Sequence, residues 1–465
     1  MPTNHNRVDR RGFLRQAATG IGVAAVGTPS ASFAQEQRAS AVEKPTPEDV
    51  IWRSKAPTMA YRRLGRTKYM VSRLIAGWGG DDRLWRRMVQ SGINYIDTAR
   101  GYGNHEEQLR NFLQRFRERI WITSKSTGIA GYNKIDDEVE KLYRNAMNSF
   151  LGDGSGDMLT LHHQAVTKQK ESGDKPDLRP IGAVIARLYT SLLDESLARM
   201  GIDDVDCYMM HGIEIPWIFD CVELWEAYEK VHKAGKVKHF GFSVHKHHKE
   251  VLAAGIEANA RGPWKIDLVM PGVNPESFDH LKDELAALKK QDVGIIAMKT
   301  SGIKNRPVDG REKKFDSLMG GREYNEWERA KLWMLHLTED LIDGVIAGIT
   351  GNEELEKDLQ LPSVQLSAAA RRELDAIVKL EMAGACHLCG DCATNCPEHI
   401  AVTDMIRYHA YIHQYDDKEM ARELYAMAGY DPAALCNNCG HCTAVCPSQV
   451  PITQLLRQLS LDMRA

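Results

Sequence analysis

Residues 92–107 read GINYIDTARGYGNHEE. Within and just after this stretch, Tyr95–Thr98 is a short β-rich apolar run and Glu106–Phe116 keeps a helical period. The same strand-then-helix alternation extends in both directions, from about Met59 to Leu361. The other expected strands are Val71–Gly77, Trp121–Ser124, Val205–Met210, His239–Ser243, Leu268–Pro271, Gly294–Met298 and Val345–Ile349. Helical runs at Leu84–Gln90, Ala186–Arg199, Glu223–Ala234 and Phe278–Lys290 lie between them. Eight strand–helix units predict a parallel α/β fold, and the count fits a closed eight-stranded barrel. Periodicity alone leaves an open doubly wound sheet available.

Motifs narrow that choice. YRRL at Tyr61–Leu64 precedes GRT, Lys125 follows a strand, and His211 ends the strand in GIDDVDCYMMHG. With residues 92–107, these resemble the aldo–keto reductase family over roughly two-thirds of the chain. The resemblance implies a (β/α)8 TIM barrel and places the family's catalytic residues on Asp97, Tyr102, Lys125 and His211. All four fall at or just after strand ends, the face where barrel enzymes put their chemistry. A carbonyl being reduced needs a proton as hydride arrives, and tyrosine, with an ordinary pKa of about 10, gives one up reluctantly. A lysine ammonium beside it favours the tyrosinate. Asp97 would hold Lys125 in place, and His211 would orient the substrate oxygen. Taken singly, these residues read as a helix cap, a half-buried aromatic, a rim lysine and a core histidine. Their joint order favours function.

The nicotinamide pocket departs from the family. Relatives place a carboxamide-binding glutamine on the sixth strand, where VMPGVNP puts Met270, which lacks an amide's donor and acceptor. Ser243 and Asn274 match polar positions of that pocket. After the eighth strand, ITGNEELEKDL has no base between Thr350 and Leu355. A 2′-phosphate there would face Glu353 and Glu354 without a cation. The helix start at Gly351 and Asn352 offers a pyrophosphate site. This pattern favours NAD over NADP and leaves a different carrier open.

Eight of the ten cysteines lie between Cys386 and Cys446. Cys386, Cys389, Cys392 and Cys396, then Pro397, form C-x-x-C-x-x-C-x-x-x-C-P; Cys436, Cys439, Cys442, Cys446 and Pro447 repeat it. Three thiolates at steps of three reach three corners of one cubane, and the fourth turns to the other cluster. The expected sets are Cys386, Cys389, Cys392 with Cys446, and Cys436, Cys439, Cys442 with Cys396. Zinc sites use separated C-x-x-C pairs instead. Residues 385–465 therefore resemble a two-cluster 4Fe–4S ferredoxin domain. The gap between the two motifs reads helical at Val402–Tyr411 and Lys418–Ala428. His387 and His441 are expected to lie at the surface or to hydrogen-bond near the clusters. Residues 367–384 read as a connecting helix, and Cys207 and Cys221 as core thiols.

Asp9–Arg15 reads DRRGFLR, a twin-arginine export pattern. A weakly apolar Ala17–Val26 and small residues before Gln35 follow, with a polar linker over 35–56. That address predicts a periplasmic or otherwise exported protein that folds, with its cofactors, before crossing the membrane through the twin-arginine machinery. Hydrophobic residues make up 43% and charged residues 26%, with a net charge of −3. This balance gives no pull toward nucleic acid, and no later apolar run is long enough to cross a bilayer. The stretch 128–180 is a long insertion on the catalytic face, expected as a partly mobile lid or specificity loop. His162 and His163 within it, and His245, His247 and His248 after the fifth strand, read as a solvated rim in preference to a metal site.

These features predict an exported oxidoreductase acting on a small carbonyl or alcohol, its clusters trading single electrons with a redox partner protein. Nicotinamide moves hydride and clusters move single electrons, so a direct link needs a converter such as a flavin. Two alternatives stay open: a nicotinamide-dependent reductase with structural clusters, and an electron-carrier subunit with an inactive barrel.

Overall fold

Strand alternation explains how the barrel closes. The computed structural model describes residues 49–126, 137–152, 154, 158–300, 310–414 and 418–464. The twin-arginine and cleavage-site stretch lies outside the described residues. Among the described residues there are ten strands: β1 (Tyr61–Arg63), β2 (Met70–Ser72), β3 (Leu74–Ala76), β4 (Tyr95–Asp97), β5 (Trp121–Lys125), β6 (Val205–Met210), β7 (Val237–Val244), β8 (Leu268–Pro271), β9 (Gly294–Ala297) and β10 (Gly344–Ala347). β3 to β10 form a closed, all-parallel barrel, and β1 pairs antiparallel with β2 outside it. The fold is thus a TIM barrel followed by a mainly helical cysteine-rich domain.

The barrel strands are apolar on both faces because helices cover the outside and side chains fill the inside. Tyr95, Trp121, Cys207, Met209, Leu268, Met270 and Ile296 share the inner core with Leu64, Tyr69 and Val71 from the β1–β2 hairpin and its turn. The outer faces, such as Ile96 on β4 and Ile122 on β5, pack with the helical shell. The single strand expected over Val71–Gly77 is divided. Arg73 breaks it: its N–H bonds the Ala60 carbonyl at 2.9 Å, and its buried guanidinium donates to Leu335 O at 2.6 Å.

Three other expectations change. Residues 51–53, expected in a linker, are pinned to the barrel: Ile51 N–H donates to Lys68 O at 2.8 Å, and Arg53 pairs with Asp206. The insertion contains two helices, Asp137–Leu151 and Met158–Ser172, and its Val139, Tyr143, Met147, Leu161 and Ala165 join the barrel core. The helix Ala368–Met382, expected as a connector, likewise buries Leu374, Ile377 and Val378 in that core. The cysteine-rich domain has its own core, centred on Ile400, Val402, Met405, Ile406, Leu456 and Leu459. Among the described residues, no helix is long and apolar enough to cross a membrane.

Candidate functional site

Period-two alternation carries three side chains into the barrel mouth. On β4, Tyr95 points into the inner core, so Asp97 does too. On β5, Trp121 and Lys125 share a face, and on β6, Cys207 and Met209 set the inward direction that His211 continues. The register Asp97↔Thr123 and Lys125↔Met209 places them on three neighbouring strands.

Lys125 Nζ donates to Asp97 Oδ1 at 2.7 Å, to Asp97 Oδ2 at 2.6 Å and to the Thr98 carbonyl at 3.0 Å. Both side chains are buried. Burial pushes the Asp97 carboxyl above its ordinary range, and the Lys125 ammonium pulls it back. Tyr102 sits on the turn after β4, where the ammonium lies 5.0 Å from its ring centroid. The Tyr102 and His211 rings meet edge to face, 5.7 Å apart at 84°. Burial holds His211 well below the usual imidazole pKa, with Lys125 and Lys299 adding to the effect. His211 is therefore neutral near pH 7 and suited to orient an oxygen by hydrogen bonding, not to serve as the acid. All four residues of the expected tetrad converge.

Sequence reasoning missed the groups that support them. Glu106 is buried behind β5 and accepts a 2.6 Å hydrogen bond from Ser124 Oγ, while Thr98 Oγ1 lies 2.8 Å from His105 Nδ1. Each ties the Tyr102 turn to a strand end. His245 was also missed as a site residue. It continues the inward alternation of Ser243 on β7, and its ring lies 5.8 Å from that of His211. That alternation was legible in the sequence.

The nicotinamide positions behave differently. Met270 lines the barrel interior. Ser243 Oγ accepts the Gly212 N–H at 2.8 Å. Asn274 caps the helix Pro275–Lys290, its Oδ1 accepting from Glu276 N and Ser277 N at 3.0 Å each. At the helix Asn352–Asp358, Glu354 Oε2 accepts from Thr350 N at 2.7 Å, Thr350 Oγ1 at 2.8 Å and Gly351 N at 3.2 Å. Asn352 Oδ1 is engaged by Arg87. At the helix start where a pyrophosphate site is expected from Gly351 and Asn352, the chain's own carboxylate thus accepts from donors a phosphate would use.

The cysteines gather around two cavities. One is lined by Cys386, Cys389, Cys392 and Cys446, the other by Cys436, Cys439, Cys442 and Cys396. Each cavity thus takes three sulfurs from one motif and one from the other, a donor set that fits a cubane. Burial pushes the thiols of Cys386 and Cys389 up to about 12, so thiolates there require a positively charged centre. Cys439 is exposed.

The first cavity abuts the barrel mouth. His247 N–H donates to the Cys389 carbonyl at 3.3 Å. A Cβ on Gly390 would lie 2.2 Å from the His247 ring, so that imidazole packs directly on the cysteine loop. Lys246 Nζ bridges Glu214 Oε1 at 3.1 Å, on the loop after β6, and Asp404 Oδ2 at 3.0 Å, on the cysteine-domain helix Val402–His413. Arg407 pairs with the same Asp404 at 2.8 Å. Burial raises the Glu214 carboxyl to about 7; Lys246 opposes this and Asp404 adds to it. Burial works against the Lys246 charge, yet Asp404 and Glu214 outweigh it and hold the ammonium above its ordinary value. His245, His247 and His248 are all buried, which corrects the solvated rim expected there. His387 is half-buried, 3.8 Å from Glu276 and with its ring 5.7 Å from that of His280, and so faces a barrel helix.

Comparison with known proteins agrees with both halves. A family model described as the aldo/keto reductase family matches residues 82–304, and one described as a 4Fe-4S dicluster domain matches residues 381–450. The chain is 26% identical over 205 residues to YrpG of Bacillus subtilis (strain 168), an uncharacterized oxidoreductase, covering 40% of this chain and 49% of that protein. It thus spans about half the length of that curated relative. Two solved chains from Pseudomonas aeruginosa, provisionally assigned as aldo-keto reductases, show 18% and 19% identity over 65% of this chain. They are covered to 93% and 94% respectively, each at a TM-score of 0.41. Residues 82–304 thus match the aldo/keto reductase family, and residues 381–450 match a 4Fe–4S dicluster domain.

Proposed function

We propose that this chain is an exported oxidoreductase that interconverts a carbonyl and an alcohol at the barrel mouth and exchanges electrons with a partner protein through its dicluster domain. One observation carries this reading. The cysteine domain is seated on the face that holds Asp97, Tyr102, Lys125 and His211, with His247 and Lys246 making the contact. A domain retained only for folding has no reason to sit at the chemical end of the barrel.

In this reading Cys386, Cys389, Cys392 and Cys446 hold one cluster, and Cys436, Cys439, Cys442 and Cys396 the other. When bound, the clusters supply one-electron redox centres. Tyr102 exchanges the proton of the substrate hydroxyl, helped by the Lys125 ammonium, which favours the phenolate. Asp97 holds and aims Lys125. Neutral His211 orients the substrate oxygen by hydrogen bonding. Oxidising an alcohol releases two electrons and two protons, so the barrel also requires a hydride-accepting carrier of the nicotinamide or flavin class. The Glu354 carboxylate at the Gly351 helix start favours a carrier held differently from the family's dinucleotide. That same feature supports the alternative of an electron-carrier subunit with an idle barrel.

The test uses full-length chain purified anaerobically, with any organic cofactor identified by spectrum and mass. Cluster reduction by a panel of sugar and polyol alcohols is then followed by electron paramagnetic resonance. Tyr102→Phe is expected to slow reduction by about 10²–10⁴-fold at unchanged iron content. Equal rates in the two proteins would favour the carrier subunit. Replacing Arg10 and Arg11 with lysine is expected to retain the chain in the cytoplasm, as read by cell fractionation.

A further inference from the structure

A second set of ligand-type side chains lies in the cysteine domain, away from both cysteine cavities. On the helix Val402–His413, His409 and His413 are one turn apart and share a face. Their ring centroids are 4.3 Å apart, tilted by 34°. The helix Ile452–Arg464 packs against that helix and brings Asp462 to the pair, with Oδ2 lying 2.7 Å from His413 Nε2. One ligand atom from each of the three residues falls within 4.8 Å of the other two. None of the three lines either cysteine cavity.

We propose that His409, His413 and Asp462 bind a divalent transition metal of the zinc class, with a solvent molecule completing a four-coordinate site. Two imidazoles and one carboxylate suit zinc, nickel or copper and not calcium or magnesium, which take oxygen ligands. A simple ion pair accounts for His413 and Asp462 but leaves His409 unexplained. An imidazolium at each histidine, 4.3 Å apart, would be repulsive. His409 is half-buried on the face it shares with His413. The carboxylate is already oriented from behind: Gln458 Nε2 donates to Asp462 Oδ1 at 2.8 Å. Such an outer contact is characteristic of metal ligands. The helix Val402–His413 also carries Asp404, which meets Lys246 on the barrel. A metal at its far end would fasten Ile452–Arg464 across the helix that docks the two domains.

The experiment uses the anaerobically purified full chain with its iron–sulfur clusters in place, so that cluster cysteines are not free to take added metal. Titration with Co²⁺ is expected to give one equivalent of tetrahedral d–d absorption, reversed by Zn²⁺. Elemental analysis should find about one zinc per chain beside the iron. His409→Ala and His413→Gln should each weaken binding at least tenfold while the iron content and cluster spectrum stay unchanged. Zinc should raise the melting temperature of the wild type and not of the variants. Absence of a saturable Co²⁺ signal below about 100 µM in the wild type overturns the proposal whether or not the variants fold. Binding that survives both substitutions does so as well.

Discussion

Lys125 and Asp97 show how much one buried pair controls. Their bidentate contact sits where neither side chain reaches water. Removing one partner strands the other as an uncompensated charge, which costs about 3–5 kcal/mol. Lys125→Met is therefore expected to lower the denaturant midpoint and to abolish turnover, whereas adding Asp97→Leu should restore most of the stability and none of the activity. Chemical denaturation of the single and double variants checks this, and equal stability of the two would contradict it. Glu214 makes a pH-dependent case. Its folded-state carboxyl titrates near 7 against 4.5 when free. Between those values the folded chain holds a proton that the unfolded chain has released, so stability falls as pH rises through the window and levels off above it. The loss is on the order of 3 kcal/mol at most. Glu214→Gln should flatten the curve between pH 5.5 and 7.5. A wild-type profile that is already flat would refute the shift.

Among the elements, the insertion and the capped helix after β10 are the informative ones. The helix Asp137–Leu151 carries a charged outer face, yet its Tyr143 and Met147 are buried. Met147→Ala should cost about 2–4 kcal/mol through lost burial and a residual cavity. Hydrogen exchange should then show the segment 137–172 opening before the barrel strands. Protection unchanged across that segment would mean the helices are held by other contacts. At the helix Asn352–Asp358, Glu354 satisfies three donors. Glu354→Ala should cost about 0.5–2 kcal/mol as a lost cap. The same change frees the helix start, so a gain of dinucleotide binding in that variant alone would show that the carboxylate blocks the site.

For the whole molecule, the arrangement that matters is the cysteine domain on the catalytic face. Gly390 packs tightly against the barrel: its φ of +93° and the His247 ring 2.2 Å from any added Cβ leave no room for a side chain. Gly390→Ala is expected to weaken docking by about 1–3 kcal/mol. Faster hydrogen exchange over residues 245–252, with iron content retained, is the expected readout. Exchange rates equal to wild type would place the interface elsewhere. The fixed contact also leaves the two cysteine cavities in different surroundings. One adjoins the barrel, and Cys439 of the other is exposed.

Much of this was legible in the residues because it is local. Alternation with period two on Tyr95–Asp97, Trp121–Lys125 and Val205–Met210 sends Asp97, Lys125 and His211 inward, and the paired cysteine spacings divide eight sulfurs between two cavities. The first outcome needs no knowledge of distant chain, and the second needs only that the two cysteine motifs pair. Tertiary structure alone decided the rest. Lys246 and Asp404 are 158 residues apart, and only their meeting turns His245, His247 and His248 from a rim into an interior. Burial is a property of what covers a residue, and a local pattern of side chains carries no record of a cover contributed from elsewhere in the chain.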